Sequence, residues 1–394
     1  MLDLPRLLSP LRCNADGSPR QPLAGLFSRG SAARPVRARA FEAIACLGVL
    51  CVAIAGTALA GAFSRSAHGD RGELPGECRS CHVAHGRPGT LMMSTQTDSM
   101  CLQCHGDSGA RTAMRGKGLL NKTEGLGNIA AELRKSSRHP VGETRLSGRF
   151  NRFPKRIGDA GATSSELSCV DCHDPHYEAK RSEKTQENRT QVKMRPDARG
   201  KEQAEYKICY QCHGTSGEAG RSSTNIEELM RSGNASYHPV EAVGRNKNVP
   251  SLIRPYSRQS ILACTDCHGS DGNDAPAGPH GSAFAPILKE NYQTEDGRAE
   301  SSYEYALCYR CHSRSVILGR GAFPEHRRHL VDAKASCRAC HNSHGSSKYS
   351  HLIDFDKRIV TANTQGRLQY VEKGSGSGSC SLLCHGRDHD EESY

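Results

Sequence analysis

The chain has 394 residues and a formal charge of +11, with 36% hydrophobic residues, 5% aromatic residues and no Trp. That is length enough for two or three ordinary domains but too little apolar material for a conventional core of that size. It holds 19 Cys and 19 His, each about twice or more the usual share, and Lys and Arg are scattered rather than striped, which argues against a nucleic-acid partner.

Residues 1–60 differ from the rest. Seven Arg, from Arg6 to Arg39, precede the run "FEAIACLGVLCVAIAGTALA", residues 41–60, which ends in Ala58-Leu59-Ala60. Basic region, apolar region and A-x-A site in that order predict an export signal cleaved near Gly61. The alternative is an uncleaved anchor, since about 20 apolar residues can span a bilayer; membrane association is expected only in that case. The basic lead-in is long, so a start near Val36 is also compatible with the pattern. Cys13, Cys46 and Cys51 fall in this region and are read as chemically idle. Setting aside its seven Arg against Asp3, Asp16 and Glu42 leaves +7 for the remainder.

The other 16 cysteines form pairs. Seven read C-x-x-C-H: Cys78/Cys81/His82, Cys101/Cys104/His105, Cys169/Cys172/His173, Cys209/Cys212/His213, Cys264/Cys267/His268, Cys308/Cys311/His312 and Cys337/Cys340/His341. An eighth, "CSLLCH", has one more residue between Cys380 and Cys384 before His385. C-x-x-C-H is the attachment signature of c-type haem: two thiols form thioethers to one porphyrin edge, and the adjacent imidazole becomes the proximal iron ligand. Chance gives about 0.05 such motifs in a chain of this composition. Zinc ribbons and disulfide frameworks have no need of a His after every second Cys. The expected cofactor is therefore heme c, eight per chain, with His82, His105, His173, His213, His268, His312, His341 and His385 proximal. Eight haems add about 16 propionate charges, which brings the loaded protein to about −1 when oxidised and about −9 when reduced. Much of the basic excess is thus accounted for internally.

Eleven His remain, and eight irons with a His on both faces need eight of them. His85, His176 and His344 stand three residues after a proximal His, in "CHVAH", "CHDPH" and "CHNSH". So short a segment cannot reach the opposite face of the same iron, so each is expected to serve a neighbouring haem. His280, in "GPHGS", resembles His344 displaced by the insertion "GSDGNDAPA". A second set precedes the motifs: His139 in "RHPVG", His238 in "YHPVE", and His326 and His329 in "HRRHLV", where His329 aligns best. Pro after His favours extended backbone, which suits a ligand offered from a loop. His351, His389 and His68 compete for the last place, with His351 the first choice. The expected distal set is His85, His139, His176, His238, His280, His329, His344 and His351. Met92, Met93 and Met100 near the first two motifs are read as packing residues.

These elements repeat. After the 1–60 signal come an opening segment with haem 1 (61–100), a two-haem repeat plus a charged excursion (101–205), a second repeat (206–300), a third (301–360) and a closing segment with the CX3CH haem (361–394). The expected fold is mostly irregular with short α-helices and little β, built around a closely packed haem chain. Short helices belong at "SYEYALCYRCH" and "NIEELMRS", and residues 180–205 are expected to be a solvated excursion. Long loops normally count against a compact domain, but covalent attachment at eight places would replace the missing core.

The eight attachment sites, the "CHxxH" doublets, the "HPV" loops and the closing "HLIDFD" to "SCSLLCHG" segment resemble the multihaem c-type cytochromes with doubled C-x-x-C-H motifs that anaerobic and metal-respiring bacteria export. The resemblance covers nearly all of the chain after residue 60. It implies haems in alternating parallel and T-shaped contact, bis-His iron, and an electron carrier, not an enzyme, at the periplasm or cell surface. Its partners would be redox proteins or extracellular acceptors, with filament or conduit assembly through haem contacts known among such relatives. The alternative is an octahaem redox enzyme of the nitrite, hydroxylamine or tetrathionate type. That reading needs one open iron, whereas all eight motifs end in His and no catalytic residue is assigned.

Overall fold

In the computed structural model of the protein, the described residues are 67–69, 71–83, 85–86, 92–141, 167–176, 193–196, 202–215, 224–272, 274–319, 321, 323–374 and 376–394. The chain divides into two units, Met1–Ala58 and Leu59–Tyr394. The first unit, with most of the expected signal, lies outside the described residues; all that follows concerns the second.

Helices are short because the sequence offers no long amphipathic run. The longest described are nine residues: α1 (Thr97–His105), α2 (Ser108–Gly116) and, in the second repeat, Glu205–His213. Between them lie α3 (Ile129–Glu132) and α4 (Cys169–Cys172), so that Glu205–His213 is α5. It is followed by α6 (Ile226–Met230), α7 (Cys264–Cys267) and, in the third repeat, α8 (Ala306–Tyr309), a further turn at Arg314–Ile317 and α9 (Cys337–Cys340). Helices α3 and α6 occupy equivalent places. Asn128 and Asn225 precede them, each side-chain oxygen accepting from a backbone N–H three residues on, Ala131 and Glu228. That contact satisfies one of the donors a helix start leaves open.

Two-residue strands tie the repeats together. β1 (Ser137–Arg138) pairs antiparallel with β5 (Gly281–Ser282), and β4 (Ser236–Tyr237) pairs with β6 (Gly345–Ser346). Each joins the loop of one repeat to the closing segment of the next, so the repeats interleave rather than follow one another as beads. The glycines allow it: a Cβ on Gly281 would collide with the carbonyl oxygen of Glu132, and one on Gly345 with that of Leu229. Ser282 and Ser346 beside them are buried. The Ser282 hydroxyl donates to the Leu288 carbonyl, 2.6 Å, and accepts from the Phe284 N–H, 2.8 Å. Within the charged excursion, β2 (Lys193–Pro196) and β3 (Glu202–Ala204) form a hairpin-like pair.

The closing segment departs from the expectation of little β. β9 (Ser377–Cys384) is flanked on one side by β10 (Arg387–Ser393) and on the other by β7 (Val360–Thr361) and β8 (Gln369–Gly374). The Gly/Ser-rich "GSGSGS" reads as a linker, yet the segment can pair because glycine and serine put no bulk between strands. Its apolar face, with Val360, Tyr370 and Leu382, packs on Ala339 and Phe355. The other apolar clusters are small, Leu74/Met114/Leu120 and Tyr210/Met230/Val240. All three clusters border motif cysteines: Cys104, Cys264, and Cys340 with Cys380 and Cys384.

Candidate haem-binding site

Each C-x-x-C-H closes locally as one turn. The backbone N–H of His82, His173, His268, His312 and His341 donates to the carbonyl of the first cysteine of its own motif at 2.8–3.0 Å. His105 and His213 close the last turns of α1 and α5. A helical turn brings residues three apart to one side, so both sulfurs and the following imidazole come from a single short segment.

Carboxylates hold the start of the second motif of each repeat, from the helix carrying the first motif in repeats 1 and 2 and from the loop ahead of α8 for the third. Asp98 on α1 accepts from the Ser168 hydroxyl at 2.6 Å and the Cys169 N–H at 2.9 Å. Glu205 on α5, buried, accepts from the Thr265 N–H at 2.8 Å and its hydroxyl at 2.9 Å. Asp296 accepts from the Ser336 N–H at 2.7 Å. An anion at the start of a turn offsets its exposed N–H groups. Sequence reasoning missed these three acids; Asp98 and Glu205, near the same place before Cys101 and Cys209, were the available signal.

Cysteines of paired motifs consequently meet. The Cys169 thiol is the largest influence on the titration of Cys101, and the Cys264 thiol on that of Cys209. Cys212, expected as the second thioether residue of the fourth motif, lies one turn beyond Cys209, half-buried near the end of α5. That motif differs from those on α4, α7 and α9, which are isolated turns: it forms the last part of a nine-residue helix. Cys78, expected as the first thioether residue of the first motif, is exposed, while Cys172, Cys308 and Cys311 are half-buried. Burial, with Cys311 next in effect, pushes the Cys267 thiol up to about 12, and burial with Cys384 does the same for Cys340. None of the sixteen motif cysteines is in a disulfide.

The histidines pair across the repeats. Ring centroids are 6.1 Å apart for His68–His105, 6.0 Å for His82–His176, 6.4 Å for His139–His213 and 6.1 Å for His173–His280. They are 6.5 Å apart for His238–His312, 6.2 Å for His268–His344, 6.2 Å for His326–His341 and 6.3 Å for His329–His389. This spacing tests the fit of the cofactor. A metal–imidazole bond of about 2 Å on each face, plus about 1.1 Å from nitrogen to ring centre, asks for about 6.2 Å between centroids. The residues fit an iron held between two imidazoles.

The ring nitrogens agree. Nδ1 of His68 lies 3.0 Å from the Pro175 carbonyl, that of His139 is 2.7 Å from Pro279, and that of His238 contacts the Ser343 carbonyl. Nδ1 of His268, His329 and His341 lies 3.0, 2.8 and 2.9 Å from the carbonyls of Pro286, Glu325 and His351. An Nδ1–H held by a carbonyl fixes the tautomer with Nε2 as the ligand nitrogen. Burial lowers the pKa of His139, His213, His238, His268 and His341, and brings His312, His326 and His344 down to about 4. Neutral imidazole is the form that binds metal.

Two rules order the pairs. A loop histidine faces the first motif of the next unit: His68 with His105, His139 with His213, His238 with His312. A closing histidine faces the second motif of the unit before: His176 with His82, His280 with His173, His344 with His268. The closing pairs hold their rings within 4–13° of parallel, whereas the loop pairs are inclined by 52–81°.

Of the eight histidines expected as distal ligands, the structure sets His139, His176, His238, His280 and His344 opposite a motif histidine. Three stand elsewhere. His85, the closing histidine of the opening unit, is exposed, and His176 stands opposite His82 instead. His351 turns its Nε2 to Glu372 at 3.1 Å, and its carbonyl takes the Nδ1 of His341. His329 faces His389, leaving His326 opposite His341. His385, expected as a proximal ligand, has its Nε2 2.9 Å from Asp296 Oδ2. The "HPV" spelling hid His68, whose "AHG" lacks the proline; "HRRH" offered two loop histidines, and both are used.

Family models agree with this chemistry over part of the chain. Residues 74–110 match the doubled CXXCH motif, and residues 263–342 match cytochrome c554 and c-prime. With the repeated attachment motifs, these matches make the chain a multihaem c-type cytochrome, carrying covalently bound haem c for haem-based electron transfer. Comparison with curated proteins and with solved structures finds no match. Among the described residues, no helix is long and apolar enough to cross a membrane.

Proposed function

We propose that the protein is an exported octahaem electron carrier of anaerobic or extracellular respiration, not an enzyme, whose irons are bis-His ligated. The observation that supports this reading best is the set of eight opposed histidine pairs at one spacing. Each haem, when bound, takes and passes one electron.

The residues supply the rest. His82, His105, His173, His213, His268, His312 and His341 would serve as proximal ligands, and His176, His68, His280, His139, His344, His238 and His326 opposite them as distal ones. Neighbouring pairs are joined directly through the backbone: the His139 N–H donates to the His280 carbonyl at 3.3 Å, and the His238 N–H to the His344 carbonyl at 3.1 Å. Two pairs of neighbouring sites are thus tied to each other, which suits electron passage between them. Two imidazoles favour a lower potential than His/Met ligation. The alternative of a redox enzyme needs an exchangeable iron face, against which the opposed pairs stand.

Intact mass of the exported protein would report haem count and processing site together, with eight haems and a start near Gly61 expected. A ferric spectrum with only low-spin haem and no turnover of nitrite or hydroxylamine supports the carrier. A high-spin centre with such turnover would replace it with the enzyme.

A further inference from the structure

We infer that at the eighth attachment site the iron ligands are His329 and His389, and that the motif's own His385 is held out of coordination by Asp296. This rests on the octahaem reading above and concerns which residues complete its last site.

The extra residue in "CSLLCH" has a structural reason. In a helical turn, as in α4, α7 and α9, cysteines three apart share a side; on a strand, residues three apart point to opposite faces. Cys380 and Cys384 lie on β9 rather than on a turn. Their spacing of four returns both sulfurs to one face, with Leu382 between them. A C-x-x-C spacing here would have split the pair. The fourth residue is what attachment from a strand requires.

The same geometry removes His385 and supplies His389. His385 and Gly386 form the two-residue connection between β9 and β10, with φ of 51° and 74°. Two successive positive φ values are those of the hairpin turn that matches strand twist. His385 therefore sits at the tip, beyond the cysteine face, and its side chain meets Asp296 Oδ2 at 2.9 Å through Nε2, the nitrogen an iron would need. On the returning strand His389 is in register with Leu382. Residues directly opposite in a sheet point to the same face, so His389 lies on the face bearing Cys380 and Cys384. Its side chain is 15% exposed against 38% for His385, and its Nε2 lies 4.0 Å from Glu392 Oε2, beyond hydrogen-bonding reach, where that of His385 is 2.9 Å from Asp296.

The His389 ring stands 6.3 Å from that of His329, inclined by 28°. That spacing matches the other seven pairs. His329 has its Nδ1 on the Glu325 carbonyl, which leaves Nε2 for the metal. Phe323 packs 5.8 Å from the His329 ring, 5.1 Å from that of His326 and 4.5 Å from that of Tyr394, closing the end of the site. His329 also follows the loop rule: a loop histidine reaches forward to the first attachment site of the next unit, here the last.

The test is carbon monoxide binding to the reduced full chain, with intact mass counting haems. His389→Ala and His329→Ala should each keep eight haems and bind one carbon monoxide per chain, with one high-spin haem appearing in the ferric spectrum. His385→Ala should keep eight haems, all low-spin, and bind none. The assignment is overturned if His385→Ala opens a carbon monoxide site or if His389→Ala opens none. Where His385→Ala is made with seven haems, His389→Ala decides by the same criterion. A wild-type mass of seven haems, or carbon monoxide binding by the wild type, would instead sink the octahaem bis-His reading itself.

Discussion

The ring Nδ1 of His139 lies 2.7 Å from the carbonyl oxygen of Pro279, the residue before His280. One contact thus joins two histidines that face different motifs, His213 and His173. It fixes the His139 tautomer while tying repeat 1 to repeat 2. His139→Ala should convert one haem of the set to high spin. His139→Met should instead keep it low-spin and raise its potential, because thioether ligation favours the reduced state. Redox titration followed by absorbance would show one component moving upward; an unchanged titration would remove His139 from the ligand set.

His68 and His85 give opposite expectations from similar sequence surroundings. His68 faces His105 and is anchored on Pro175, whereas His85 is exposed. His68→Ala should create one carbon monoxide-binding haem per chain, and His85→Ala none. Equal behaviour of the two variants would contradict the pairing rules.

Gly281 and Gly345 test the strands that bind the repeats. Alanine at either meets a backbone carbonyl that cannot move without breaking the adjacent helix, a form of overpacking that costs about 1–3 kcal/mol. A lowered thermal midpoint is expected for each. Gly116→Ala, at the end of α2 with open space around it, should be neutral or slightly stabilising, since alanine is the better helix former. A Gly281→Ala protein as stable as wild type would show that β1 and β5 do not pair as described.

Asp356 supplies an acid-sensitive clamp on the closing segment. Its carboxylate accepts from Arg358 at 2.9 and 2.5 Å and from Arg338 at 3.1 Å, and its N–H donates to the Ala339 carbonyl beside the seventh motif. The Arg358 guanidinium, aided by Arg338, holds the carboxyl well below the usual range. Because the folded pKa is depressed, the stabilisation is present above about pH 4, the unfolded carboxylate value, and is lost as pH falls towards the folded one. Thermal midpoints of wild type and Asp356→Asn should differ most near about pH 7 and converge in acid. A gap that is constant with pH would mean the ion pairs contribute nothing. No large figure is expected, as both arginines are substantially exposed.

Sequence alone determined the attachment chemistry, because C-x-x-C-H is a local object: one turn presents two sulfurs and an imidazole whatever surrounds it. It also determined that the chain repeats, and that loop and closing histidines are two kinds. It could not say which histidine meets which, since both kinds act across repeat boundaries and spacing along the chain carries no direction. The fold decided that loop histidines reach forward and closing ones back, through strand pairs of only two residues that leave almost no periodic signal. That is why His85, which shares the CHxxH pattern of His176 and His344, has no motif histidine opposite it among the described residues. The closing sheet was equally hidden, because glycine and serine pair as strands only when a neighbour is there to pair with. Only in that sheet does "CSLLCH" become intelligible, for a spacing of four keeps both cysteines on one face of a strand, where the spacing of three that serves a helical turn would divide them.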